Sequence, residues 1–142
     1  MDISVDIPFK SELELYLNKL IKEIKPKLVA IIGSLARGTF GLGSDIDLII
    51  VSDNLPDHVL DRLSILLQLD EFGIPIEPIG LKVNEFLELC KKGHTTPLEV
   101  FKRGIIIHSD KRFFELARKL LEDAIRKYEI EEIKKGWIKR KI

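Results

Sequence analysis

Ile31-Ile32-Gly33-Ser34-Leu35-Ala36-Arg37-Gly38, and a little further on Ser44-Asp45-Ile46-Asp47-Leu48-Ile49-Ile50-Val51, decide how this chain is read. Residues 27–32 are short, apolar and β-branched, which predicts a buried strand. A Gly-Ser turn leaves it, and a second apolar strand follows over residues 45–51. Successive side chains of a strand point to opposite faces, so Asp45 and Asp47 share one face and Ile46 takes the other. Two carboxylates side by side at the margin of a core are costly unless something binds them. Mg²⁺ takes oxygen ligands of this kind together with substrate phosphates. Gly33 lets the backbone approach a ligand. Ser34 brings a hydroxyl and a backbone N–H suited to a phosphate oxygen, and Arg37 brings a planar fork of donors for the same group. A phosphate cradle beside a paired-carboxylate metal site predicts nucleotidyl transfer, with metals clamping the attacking and leaving oxygens of an in-line displacement.

Outward from this stretch, helices and strands alternate. Ser11 with Glu14 reads as a capping box opening a helix whose apolar face is Leu13, Tyr16, Leu17, Leu20, Ile21 and Ile24; Pro26 ends it. Residues 33–44 read as a loop. Pro56 suits the first turn of a helix with Val59, Leu60, Leu63, Leu66 and Leu67 as its buried stripe, stopped by Gly73. Residues 74–81 read as a strand, and Pro75 and Pro78 confine it to an edge of the sheet or a strand end. A short helix over 84–92 follows, and Thr96 with Glu99 reads as a second capping box. Residues 105–108 make a fourth strand. Ser109 or Asp110 then caps a long basic helix over about 110–135. The expectation is an α/β (α+β) fold in a single domain over residues 1–142, with a mixed sheet of about four strands flanked by helices.

Composition agrees and excludes several classes. The chain has 142 residues, 45% hydrophobic and 32% charged, as in folded soluble domains rather than disordered ones. Apolar runs such as 28–32 and 48–51 fall far short of the roughly 18 residues a membrane span needs. The single cysteine, Cys90, excludes an internal disulfide and points to a reducing cytoplasm. Asp2 and Asp6 at the start, with no apolar run, give no sign of a signal peptide. The 23 basic and 23 acidic residues cancel, but residues 111–142 hold 11 basic against 6 acidic. Such a split marks either a docking surface or a solvated charged helix.

The string Gly-Ser-x-Ala-Arg-Gly followed by Ser-Asp-Ile-Asp-Leu, with ten residues between Ser34 and Asp45, resembles the signature of the DNA polymerase β nucleotidyltransferase superfamily. Within it, the string looks most like the minimal nucleotidyltransferases, the MNT-type proteins of prokaryotes. The resemblance implies that Gly33 and Ser34 hold a nucleoside triphosphate, with Ser44 and Arg37 beside them, and that Asp45 and Asp47 ligate Mg²⁺, two ions, with Mn²⁺ an alternative. It also implies a third carboxylate on a neighbouring strand, as metal ligand and proton acceptor; the best match is Glu77, between Ile76 and Pro78, ahead of Asp70 and Glu71. Minimal nucleotidyltransferases are often paired with a helical HEPN protein as antitoxins, and some add AMP from ATP to a tyrosine of that partner.

Alternatives stay open beside this reading. A module that binds a nucleotide or a partner without turnover would keep the same loop. An RNA-end transferase would use Trp137, Lys139, Arg140 and Lys141 on a single strand. An oligomer is possible. His58, His94 and His108 are scattered and take no role, Cys90 reads as core or rim, and Gly41-Leu42-Gly43 reads as a flexible loop.

Overall fold

The computed structural model describes residues 9–39, 41 and 43–142; Asp2, Asp6 and Leu42 lie outside the described residues. Helix α1 (Lys10–Ile24) lays Leu13, Tyr16, Leu17, Leu20 and Ile24 against the sheet. The capping box expected at Ser11 is absent. The helix starts two residues earlier with Phe9 at its cap, which makes no side-chain cap bond but packs against the core. Strand β1 (Leu28–Ile32), a single helical turn α2 (Ser34–Arg37) and strand β2 (Ile46–Val51) follow. Then come α3 (Val59–Gln68), β3 (Ile76–Leu81), α4 (Val83–Lys91), α5 (Thr95–Leu98), a π-helical turn over Glu99–Arg103, β4 (Ile105–Ser109) and α6 (Lys111–Tyr128).

The four strands form one mixed sheet in the order β3-β2-β1-β4. β1 is antiparallel to β2 and to β4, and β2 is parallel to β3. β3 is an edge, as its prolines require. It begins at Ile76 rather than residue 74, because Asp70 accepts hydrogen bonds from the Phe72 and Ile74 amides and holds that stretch in a turn. Alternation along the strands divides the core. Val29, Ile31, Leu48 and Ile50 join α1 and Leu66 of α3 in one layer. Leu28, Ala30, Ile49 and Val51 join Phe86 and Cys90 of α4 and Phe113, Ala117 and Leu121 of α6 in the other. Burial pushes the Cys90 thiol up to about 12, so it is a small apolar filler.

Three further helices depart from the sequence reading. α3 starts at Val59 with His58 as its cap, so Pro56 precedes it, and it ends at Gln68, ahead of Gly73. Its inward face is Arg62 and Leu66, while Val59, Leu60 and Leu67 of the expected stripe are exposed. The reason is polar: Arg62 donates to the carbonyls of Pro56, Asp57 and Gly80, which have to be satisfied where α3 crosses the sheet edge. α5 starts at Thr95, capped by His94, not at the Thr96 box; Glu99 instead accepts from Arg103 and Trp137. α6 stops at Tyr128, short of 135. Glu129 turns left-handed (φ 48°), and β5 (Ile130–Ile133) pairs antiparallel with β6 (Gly136–Lys139) as a hairpin. Arg103 fastens that hairpin, donating to Glu132 and to the Ile133 carbonyl and lying over the Trp137 ring. Among the described residues no helix is long and apolar enough to cross a membrane.

Candidate active site

The site forms where β1 ends and β2 and β3 begin. The loop expected over residues 33–44 contains α2, which brings Leu35 down into the core and so pins the turn. Gly33 leaves β1 at φ 78°, a conformation that favours glycine. It is needed for space as well: a Cβ on Gly33 would collide with the Asp47 carboxylate. Backbone and carboxylate are therefore packed directly against each other.

After Gly33, the first intrahelical bond is donated by the Arg37 amide to the Gly33 carbonyl, at 3.1 Å. The amides of Ser34, Leu35 and Ala36 precede it and lie at the open start of the turn. Gly38 (φ 77°) ends the turn, and the Thr39 amide donates back to the Ser34 carbonyl at 2.9 Å. Arg37 is exposed. Ser44 closes its own loop: its hydroxyl accepts from the Gly41 amide at 3.3 Å, and its amide donates to the Gly41 carbonyl at 3.1 Å.

Asp47 is the second residue of β2. It stands in register with Ile32 of β1 on one side and Glu77 of β3 on the other. Asp45 sits just ahead of the strand, exposed. The Asp47 carboxyl is held above the usual carboxylate range. Burial is the largest cause, followed by the charge of Glu77, a hydrogen-bond contact with Glu77 and the charge of Asp45; Arg37 pulls the other way. The structure thus brings Gly33, Arg37, Asp45, Asp47 and Glu77 into one neighbourhood. Asp70 and Glu71 are elsewhere: Asp70 is spent on its turn and Glu71 pairs with Lys19 at 2.7 Å.

The donor set suits a hard cation. Asp47 and Glu77 are carboxylates held side by side on adjacent strands, a like-charge contact that a divalent ion would relieve. Among the described residues no group of three or more His, Cys, Asp or Glu side chains is arranged to hold a metal ion. Sequence reasoning left His58 and His94 without a role, and the structure makes each a helix cap, with Nδ1 accepting from the amide two residues on.

Comparison with known proteins places the chain in a family. The sequence model of the nucleotidyltransferase domain matches residues 11–140. The chain belongs to the nucleotidyltransferase domain family, and its class is that of enzymes that transfer nucleotidyl groups. Its fold is similar to that of a toxin–antitoxin structure containing AMP-PNP, at TM-score 0.52 and 19% identity, covering 80% of this chain and 85% of the other. It is equally similar, at TM-score 0.52 and 19% identity over 83% of this chain and 86% of the other, to a mutant of the MntA–HpeT toxin–antitoxin. At that identity the likeness concerns the fold. No curated protein sequence matches the chain.

Proposed function

We propose that the protein transfers AMP from ATP, with Mg²⁺, to a hydroxyl of a partner protein, a tyrosine on a helical HEPN-type toxin, acting as its antitoxin in the cytoplasm. The observation that carries the reading is the packing of the Gly33 backbone against Asp47 with Glu77 in register beside it. It sets the backbone that would approach a phosphate against the carboxylates that would hold the metal. The similarity of the fold to toxin–antitoxin structures, one of them with AMP-PNP, supports the choice of nucleotide and partner.

In this mechanism Gly33 and Ser34 cradle the triphosphate, and Ser44 keeps the loop above it closed. Arg37 neutralises charge on the phosphates. Asp45, Asp47 and Glu77 would hold Mg²⁺, or Mn²⁺, in up to two sites; the metal supplies charge neutralisation of the transferring phosphoryl group and its leaving pyrophosphate. Glu77 accepts the proton of the attacking hydroxyl. That oxygen then bonds to the α-phosphorus as the bond to pyrophosphate breaks.

The test is transfer of label from α-labelled ATP to a co-expressed partner, with wild type and with Asp45→Asn/Asp47→Asn. Label on the partner with wild type alone supports the proposal. One observation favours a second reading, a module that neutralises its partner by binding: the three carboxylates do not close into one cluster. Inhibition of the partner that survives Asp45→Asn/Asp47→Asn unchanged, with no label transferred, would establish it.

A further inference from the structure

The register sets an order across the mouth of the sheet. Gly33, at the end of β1, packs on Asp47 from one side, and Glu77 of β3 stands beside Asp47 on the other. β3 closes the sheet on that side. In the proposed AMP transfer the triphosphate approaches along the Gly33 turn. In-line displacement puts the attacking hydroxyl opposite the leaving group, which is the β3 side. What an acceptor meets there is set by the residues that share a face with Glu77.

The first such residue is Ile79, two positions on and roughly 7 Å along the strand. The opposite face of β3 is turned to α3, because a Cβ on Gly80 would meet Leu55, Leu66 and Arg62. Ile79 therefore faces away from α3, on the side that Glu77 occupies. Its neighbour across β2, Ile49, is wholly buried in the layer built on α4 and α6. Ile79 is 42% exposed and belongs to neither core layer. A single exposed isoleucine needs no explanation on an ordinary surface, but this one lies in line with the proposed proton acceptor. Residues 74–81 also hold no lysine or arginine, and Lys82, which follows them, is paired with Asp57 at 2.7 Å. Beside Glu77, β3 thus offers an apolar floor with no cation of its own.

We propose that this floor seats the acceptor, and that Ile79 selects an aromatic hydroxyl, the phenol of a tyrosine side chain, over an aliphatic one. The inference rests on the AMP-transfer reading and adds to it the residue that chooses the acceptor. A phenol carries its hydroxyl at one end of a flat apolar ring. With that hydroxyl at Glu77, the ring lies back along β3 over Ile79 and takes its exposed surface out of water. The oxygen gives its proton to Glu77 and bonds to the α-phosphorus as the bond to pyrophosphate breaks, and the ring keeps its place on Ile79 throughout. A serine hydroxyl sits on a single carbon and leaves Ile79 wet. A ribose hydroxyl at an RNA end brings phosphates, which call for cations that this edge lacks.

Label from α-labelled ATP is followed onto three probes, N-acetyltyrosinamide, N-acetylserinamide and a short single-stranded RNA, beside the co-expressed partner. A phenol is the more acidic hydroxyl in every variant, so the diagnostic is the change in the tyrosine-to-serine ratio. Wild type should label N-acetyltyrosinamide. Ile79→Ser should cut the ratio by about tenfold or more, the usual worth of a lost apolar contact, through KM for the phenol rather than kcat. Ile79→Leu should restore it. Thermal protection by Mg·ATP should be the same in all three proteins, which shows each one folded with its nucleotide site intact. An unchanged ratio in Ile79→Ser, or label on the partner with none on N-acetyltyrosinamide, overturns the proposal and leaves the AMP-transfer reading standing. Preferential label on the RNA overturns it in favour of an RNA-end transferase. Label on neither partner nor probe removes the AMP-transfer reading and this proposal with it.

Discussion

Arg62 and Asp47 are both charged side chains drawn out of water, and the chain treats them in opposite ways. Arg62 is 3% exposed and all its donors are used. Nε donates to the Pro56 carbonyl at 2.6 Å, and Nη1 to the Gly80 carbonyl at 3.1 Å and to Glu85 at 2.7 Å; Nη2 donates to the Asp57 carbonyl at 3.0 Å and to the other Glu85 oxygen at 3.2 Å. A guanidinium has five N–H donors, so nothing remains for a ligand. Asp47 is also partly buried, but its closest titratable neighbour is another carboxylate, Glu77, with Asp45 adding a third negative charge. The chain offers it Arg37 as the opposing charge, on an exposed turn. A charge kept for structure is matched within the fold. Asp47 is left short of partners, which on the proposed function is where metal and nucleotide bind.

The contrast can be broken first at Arg62. Arg62→Met keeps length and apolar bulk but strands three carbonyls and Glu85. A buried polar group left without its partner costs about 1–3 kcal/mol, so a loss of at least that size is expected in urea unfolding from the stranded carbonyls, with nucleotide binding to the surviving folded fraction unchanged. Unfolding like wild type would make the network incidental to stability. At the other pole, Glu77→Gln removes the like charge facing Asp47 and keeps the shape. Stability should hold or rise, while transfer to the partner falls by about 10²–10⁴-fold, the usual worth of a positioned proton acceptor. Transfer at the wild-type rate would place the third carboxylate elsewhere.

Gly33 sharpens the same comparison at a smaller scale. Mg·ATP at 100 times its Kd should protect wild type against unfolding by about 2.7 kcal/mol. Gly33→Ala places a Cβ on the Asp47 carboxylate at a backbone angle that L-residues avoid, so the protection should vanish. Melting curves with and without Mg·ATP measure it. An undiminished shift would mean that the backbone there does not meet the phosphates.

What was legible in the sequence follows the same division. The period of two told that Asp47 and Ile46 take opposite faces, while Asp45, read as the first residue of the strand, sits just ahead of β2; two prolines told that β3 is an edge or a strand end. The partnership of Asp47 with Glu77 could be reached only through the family resemblance, because nothing within residues 45–81 says which strand lies beside which. The burial of Arg62 was hidden by the leucine stripe around it: periodicity counts apolar residues and is blind to carbonyls that need a donor. The end of α6 was hidden for a related reason. Glu129 adopts the left-handed cap with no glycine to mark it, and the Lys- and Glu-rich stretch beyond it reads as helix although Arg103 and Trp137 hold it as a hairpin.

The smallest effect lies in the charge of Glu85. The Arg62 hydrogen bonds, and after them the Lys82 amide, hold the Glu85 carboxyl below the usual glutamate range. The folded state therefore binds a proton there less readily than the unfolded chain does. The resulting stabilisation is fully present above the unfolded value, about 4.3, and is lost as pH falls through the lower folded value. Glu85→Gln has no proton to exchange, and its amide still reaches part of the Arg62 fork. Wild type should therefore exceed Glu85→Gln at pH 7, and the gap should close in acid. Since 45% of the Glu85 side chain is exposed, solvent weakens the pair, and the gap at neutral pH should be no more than about 1 kcal/mol. Urea unfolding of both proteins from pH 7 to 3 gives the two curves. Parallel curves would mean that the carbonyls alone satisfy Arg62. A gap that widened in acid would reverse the sign and show that Glu85 is held in its protonated form.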